Sequence, residues 1–350
     1  MKTLVTGGNG FIGSRLVRRL ASSGEHVHVL DLQSDNQPSN SNGNVTYFSG
    51  SILDARSVEL AMRGCDRVYH LAGYARNWAL DKRTFFDINV GGTEMVLVTA
   101  YRLGIERVVH TSSNLTIGSS LGHSADETTV RESGCFTPYE QSKLESERVV
   151  RDFVRKGLDC VIVNPARVFG PGFLNESNSV TRMIVWYLEG TWRLILGNGS
   201  AIGNYVFIDD LLQGYRLAME RGRAGERYIL GGENVSFSQF FQQLTAVSQI
   251  RHRMFHLPST LALAFAAEEQ TRAKIFGAYP IITLGWTKTF LADWNQTSAK
   301  AERELGYSIT PLDEALRKTI CWIHSTAKVK PVGDPSYAFG PNFETERSAS

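Results

Sequence analysis

Six short runs, TLVTG, HVHVLD, VTYFSG, RVYHLAG, RVVHTSS and CVIVNPA, punctuate the first half of the chain. Each reads as a strand mostly buried on both faces. Helix-forming segments lie between them at 14–22, 57–63, 91–103 and 139–156. Strand, helix, strand is the pattern of a parallel crossover, and right-handed crossovers cover both faces of one sheet with helices. The alternation predicts an α/β fold built on a doubly wound parallel sheet.

After about Val168 the alternation fails, and glycine and aromatic residues become frequent without a simple order. The expected division is a doubly wound (Rossmann) domain over 1–168, with return segments near 205–232, and a smaller mixed substrate lobe over 169–326. The polar stretch SDNQPSNSNGN at 34–44 reads as a surface loop. The last residues, 327–350, lack apolar periodicity and read as an extended or disordered tail.

Net charge +2 on 350 residues gives no argument for nucleic acid or an anionic membrane as partner. Arg15, Arg18 and Arg19 sit at helical spacing and read as a solvated face. Cys65, Cys135, Cys160 and Cys321 are scattered, which suits neither a metal site nor a disulfide framework, so no metal is expected and a reducing, cytoplasmic setting is. The apolar stretch LALAFAA is too short to span a bilayer, and the early first strand leaves no expected signal peptide.

TGGNGFIG follows the first strand and opens a helix, the context in which a glycine turn binds a dinucleotide. Gly7 permits the tight turn, Gly10 a close approach of pyrophosphate, and Gly13 close packing of helix on strand. The helix N-terminus offers N–H groups and partial positive charge to phosphates. Asp31 ends the second strand, where a carboxylate binds a ribose diol and repels a 2′-phosphate. Leu32, Gln33 and Ser34 supply no arginine, so the expected cofactor is NAD. The alternative is a structural turn beside a surface aspartate.

In PYEQSK, Tyr139 and Lys143 are four residues apart and share one helix face. A tyrosine pKa of about 10 is too high for a base at neutral pH. A lysine ammonium about 4 Å away contributes roughly 4 kcal/mol at an effective dielectric of about 20, or about three pKa units. Tyr139 would then exchange a proton with a substrate oxygen. Ser113 ends the strand RVVHTSS at the ligand-binding edge of such sheets and would hold that oxygen. Each of these residues alone also has a bland structural reading.

TGGNGFIG, HLAG at 70–73, NVGGT at 89–93, HTSS, YEQSK, VNPARVFGPG and YSITPLDEALRKTICWI together resemble the extended short-chain dehydrogenases/reductases, the NAD-dependent epimerase/dehydratase family, from Met1 to about His324. The resemblance implies a catalytic triad of Ser113, Tyr139 and Lys143, with Lys143 also holding the nicotinamide ribose. It further implies that Phe11, Ile12, Asp31, Leu71, Ala72, Gly73, Asn89 and Pro165 line the cofactor. Asn89 has the alternative of capping the next helix. The implied homodimer would pack the helix after NVGGT and the Tyr139 helix, through Val96, Leu97, Phe153 and Val154, which could instead face the sheet.

Two departures limit that carry-over. Gly50-Ser51, followed by Ile52, stands where the family often has Gly-Asp; Ser51 and Ile52 stay cofactor-binding candidates with an altered adenine contact. Gly203-Asn204 stands where nucleotide-sugar members usually carry Arg-Asp, and the bidentate diphosphate contact is lost there.

VNPARVFGPG, GERYILGGEN and LPSTLALAFAAEEQ look like the branch of dihydroflavonol reductases, 3β-hydroxysteroid dehydrogenases and hopanoid-associated reductases or epimerases. The apolar run 257–265 suits a non-phosphorylated ligand or an ordinary core helix. Trp186, Tyr187, Trp192 and Trp294 read as core, with pocket walls as the alternative. The expectation is an NAD-dependent oxidoreductase interconverting a secondary alcohol and a ketone on a small, non-nucleotide substrate. The alternatives are a sugar epimerase or dehydratase, for which Arg167 or Arg182 would have to reach a phosphate, and an NAD-binding sensor or scaffold without catalysis.

Overall fold

The structure is a computed structural model that describes residues 1–32, 43–120 and 122–326; most of the loop read at 34–44, with Gln33, and all of the tail at 327–350 lie outside the described residues. The first half runs β1 (Lys2–Thr6), α1 (Phe11–Ser22), β2 (His26–Asp31), β3 (Val45–Ser49), α2 (Ala55–Met62), β4 (Arg67–His70), α3 (Arg83–Phe86), α4 (Gly92–Leu103), β5 (Arg107–Thr111), α5 (Pro138–Arg155) and β6 (Cys160–Pro165). Next come β7 (Arg167–Phe169), α6 (Ser179–Leu188), β8 (Leu194–Leu196), β9 (Ile202–Phe207), α7 (Ile208–Arg221), β10 (Arg227–Leu230), β11 (Glu233–Ser236) and α8 (Phe237–Ser248). The described chain ends with β12 (Phe255–Leu257), α9 (Ser259–Phe276), α10 (Leu284–Leu291), α11 (Ala299–Leu305) and α12 (Leu312–Thr326).

Seven parallel strands form the main sheet in the order β10-β6-β5-β4-β1-β2-β3. The doubly wound expectation holds, and β10 joins this sheet beside β6 from the second half of the chain. The strand order reverses at β1, which pairs with β2 on one side and β4 on the other. Ligands bind at the carboxyl ends of strands at such a reversal. A smaller sheet, β11-β9-β7, mixes antiparallel and parallel pairs, and β8 pairs with β12. The largest buried cluster runs from Val5 and Phe11 through Tyr205 and Phe240 to Leu316, so both halves share one core.

Some local expectations need correction. β3 is an edge strand with partly exposed residues, not one buried on both faces, because only β2 pairs with it. α1 starts at Phe11 because Gly10 caps it, and α2 starts at Ala55 because the Asp54 carboxylate accepts from the N–H groups of Arg56 and Ser57. Asn89 does not cap a helix: it sits within a π-helical turn, Asp87–Gly91, joining α3 to α4. The run at 257–265 is no ordinary core helix. α9 buries Ala262, Ala266 and Ala273 while Leu261 and Phe265 are exposed. None of the described helices is long and apolar enough to cross a membrane.

Candidate active site

The glycine turn meets the β4 end at the sheet's reversal. Gly7 has φ +72°, and a Cβ there would stand 2.7 Å from the Ala72 backbone nitrogen. A Cβ on Gly13 would stand 2.1 Å from the Gly7 carbonyl oxygen, so α1 could not pack on the turn. Packing does not demand Gly10 in this way, because its Cβ would come no nearer than 3.3 Å to Gly7 O. What Gly10 does is begin α1 without a side-chain cap, leaving first-turn N–H groups for a ligand. The Asp31 carboxylate accepts from Asn9 N–H at 2.9 Å and Leu32 N–H at 2.8 Å, which holds it beside the turn. This cradle fits a dinucleotide pyrophosphate and ribose.

Other cofactor candidates differ in what their side chains do. Phe11 is buried in the main core and Ile52 in the second cluster, where its side chain fills the space beside Gly92. Ile12 and Leu71 pack partly buried against the main core. The Ser51 hydroxyl accepts from Leu53 N–H at 3.1 Å. Leu71 N–H donates to Thr6 O at 3.1 Å and Ala72 N–H to the Thr6 hydroxyl at 3.2 Å, which fixes the loop after β4. Asn89 accepts from Tyr74 N–H at 2.7 Å and donates to the Ser142 hydroxyl at 2.8 Å, tying this loop to α5. A Cβ on Gly73 would lie 2.9 Å from Asn89 Oδ1 and 3.1 Å from Lys143 Nζ, so only bare backbone fits between them. Pro165 closes β6 opposite Leu230.

Ser113, Tyr139 and Lys143 come together at the strand ends. Thr137 caps α5 and Pro138 occupies its first turn, which sets Tyr139 at the helix start and Lys143 one turn on. Lys143 Nζ donates to the Thr111 carbonyl at 2.9 Å, and the Ser113 hydroxyl stands near enough to the Tyr139 phenol to favour its charged form. The expected depression of the tyrosine pKa is not found. Burial pushes Tyr139 up to about 12, and the influence opposing it is the Ser113 hydroxyl. Lys143 is turned to Thr111, and its own burial brings it down to about 8 against the raising effect of Glu147.

No motif marks Glu147 in the sequence, although Tyr139, Lys143 and Glu147 continue one i, i+4 stripe. Glu147 is fully buried, and its Oε1 accepts from the Ser112 hydroxyl at 2.6 Å, the Thr116 hydroxyl at 2.7 Å and Asn164 Nδ2 at 2.9 Å. Its Oε2 accepts from Arg151 at 2.9 Å. Asn164 also donates to the Ser113 carbonyl at 3.0 Å, so this carboxylate positions the backbone that carries Ser113. Two buried histidines, His70 and His110, lie 5.4 Å apart between ring centroids, and burial brings His70 down to about 3 and His110 well below its usual range.

The opposite wall comes from α10. Trp286, which no local sequence signal marked, lies beside the Tyr139 ring, and its Nε1 has no hydrogen-bond partner among the described residues. Tyr187 and Trp294 are fully buried, as expected for core. Trp192 is partly buried against the main core, and its ring stacks on Trp186 with centroids 6.0 Å apart. Arg15 is not merely solvated, since it pairs with Asp209 at 2.9 Å. Arg182 lies over Trp186, and Asn204, in place of the family's acid, is fully buried and donates to Gly232 O, Asn234 and Gln296 O.

Among the described residues no group of three or more His, Cys, Asp or Glu could hold a metal ion. Residues 3–231 match the family model described as the NAD dependent epimerase/dehydratase family. A putative dihydroflavonol 4-reductase of Synechocystis is 30% identical, covering 93% of this chain and 95% of its own. Sterol demethylase protein B of Methylococcus capsulatus is 31% identical over 94% of this chain and all of its own, at 100%. A dTDP-glucose 4,6-dehydratase of Streptomyces venezuelae, solved with NAD bound, superposes with a TM-score of 0.76 at 26% identity, over 93% of this chain and 97% of that one.

Proposed function

Because the chain belongs to the NAD-dependent epimerase/dehydratase family, and so is an NAD-dependent enzyme of the extended short-chain dehydrogenase/reductase type, we propose that it interconverts a secondary alcohol and a ketone on a small, non-nucleotide substrate. The observation that carries this reading is the convergence of Ser113, Tyr139 and Lys143 beside the Gly7–Ala72 contact, where the sheet order reverses. A nicotinamide cofactor, when bound, would supply the hydride exchange.

The chain's own residues manage the proton. In the reductive direction Tyr139 Oη, a phenol throughout the neutral range, donates to the carbonyl oxygen as that oxygen gains charge. The Ser113 hydroxyl then donates to the phenolate left behind, which burial would otherwise disfavour. Lys143, anchored on Thr111 O, places its ammonium at Gly73 and Asn89, where the cofactor ribose would be held. In the oxidative direction the same proton returns to Oη.

Asn204, spent on internal hydrogen bonds, supports a substrate without a nucleotide diphosphate. The experiment is to denature purified protein, assay the supernatant for nicotinamide nucleotide, and screen secondary alcohols for NADH formation. Little retained nucleotide with net NADH formation supports the proposal. Near-stoichiometric NAD without net reduction would instead favour a sugar epimerase or dehydratase, the reading supported by likeness to the dTDP-glucose dehydratase.

The four unbridged cysteines support a cytoplasmic setting. A homodimer is part of the same proposal, but not through Val96, Leu97 and Phe153, which are buried in the core with Val154 packed against them. Val98, Tyr101 and Leu103 of α4 are the exposed apolar residues left for that contact. Sedimentation showing only monomer at micromolar concentration would end the dimer.

A further inference from the structure

A cation lies on the substrate side of Tyr139. Arg167 on β7 is in register with Tyr205 on β9, and its guanidinium leans along β9 over Gly203, where a Cβ would stand 2.6 Å from Nη1. Its Cζ lies 5.7 Å from the Tyr205 ring centroid and 5.2 Å from that of Phe290. Its donors reach the Tyr205 hydroxyl and the Thr289 carbonyl at 3.4 Å each, the outer limit of a hydrogen bond. Among the described residues no carboxylate pairs with it. The similarly sheltered Arg107 and Arg131 are each paired with a carboxylate, Asp159 and Glu140.

A guanidinium braced between two rings is pre-organised for a bidentate oxyanion, and a partly buried charge is costly until such a partner arrives. Its placement joins it to the reaction. Phe290 is one turn from Trp286 on α10, and Trp286 lies beside Tyr139, so one helix face runs from the phenol to the guanidinium. The absence of a side chain at Gly203 is what lets Arg167 occupy this place.

We propose that Arg167 anchors an anionic group of the substrate, a carboxylate or phosphate, so that the enzyme acts on acidic alcohols or ketones. The inference rests on the oxidoreductase reading for the identity of the reacting oxygen, whereas anion binding needs no turnover.

The test uses the full-length protein saturated with NAD. Wild type, Arg167→Met and Gly203→Ala are titrated with cyclohexanecarboxylate, with neutral cyclohexanecarboxamide, and with inorganic phosphate. Wild type is expected to prefer the carboxylate over the amide by about tenfold or more, and both variants to lose that preference while binding NAD as before. Gly203→Ala keeps the charge but displaces the fork, so it tests placement if the methionine variant fails to fold. Phosphate that displaces the carboxylate and binds tighter points to a phosphorylated substrate; weaker phosphate binding points to a carboxylic acid. Equal binding of acid and amide by wild type with no phosphate binding, or a preference that survives both substitutions, overturns the proposal. An intact preference alongside no NADH from any alcohol would keep the anion site and sink the oxidoreductase reading instead.

Discussion

The ring of Trp286 lies alongside that of Tyr139, with centroids 6.3 Å apart and planes 26° from parallel. Its buried Nε1 lacks a partner among the described residues, a cost that calls for a reason. We expect Trp286→Ala to raise KM about tenfold with a smaller change in kcat, by removing a wall that substrate and product share. Trp286→Phe should recover part of that loss. Steady-state kinetics would remove Trp286 from the site if KM is unchanged in both variants.

Tyr139→Phe deletes the proton carrier and keeps the ring. Turnover should fall by roughly 10²–10⁴-fold, while NAD affinity measured by calorimetry stays near wild type. Biological activity that survives this substitution would favour the non-catalytic NAD-binding reading.

Lys143 carries its charge below about 8, since burial lowers it from its ordinary range. If the ammonium is the working form, kcat/KM for ketone reduction falls as pH rises through about 8, and Tyr139, at about 12, adds no limb there. Lys143→Arg should move that limb upward. A wild-type profile flat to pH 10 would show that the lysine proton does not matter.

Glu147 is a buried carboxylate with four hydrogen-bond donors. Replacing it with leucine strands those donors and the Arg151 charge, at a cost of about 3–5 kcal/mol in urea unfolding. A loss under about 1 kcal/mol would mean that the network relaxes around the gap.

His70 and His110 are held neutral by burial, His70 at about 3, whereas an unfolded histidine titrates near 6.5. Below about 6.5 the unfolded chain therefore binds more protons. The pair's favourable contribution is complete above that pH and is lost as pH falls from about 6.5 toward about 3, by up to about 1.4 kcal/mol per pH unit for each ring. Urea midpoints between pH 7 and 5 should fall less steeply in His70→Gln than in wild type, and parallel slopes would refute this.

What could be read from the chain was short-range. Strand, glycine turn and helix impose their own dihedral and periodic demands, so the doubly wound sheet, the Gly7–Gly13 cradle and the Tyr139–Lys143 face were all legible from neighbouring residues. Helix starts were legible to within a turn and missed where a cap lies outside the apolar pattern, as with Gly10 and Asp54.

Neighbouring residues fix which chemical groups share a local element. What each group faces is set by the packing of elements distant in the chain. Four-residue spacing puts Lys143 near Tyr139, but packing turns its ammonium to the Thr111 carbonyl and buries the phenol, so the tyrosine pKa moves up. Val96, Leu97 and Phe153 could have faced a partner or the sheet, and they face the sheet. The Trp286 wall, the Glu147 hub and the placement of Arg167 over Gly203 each join elements distant in the chain. Such contacts arise from the crossing of packed elements, to which local propensity and periodicity are blind.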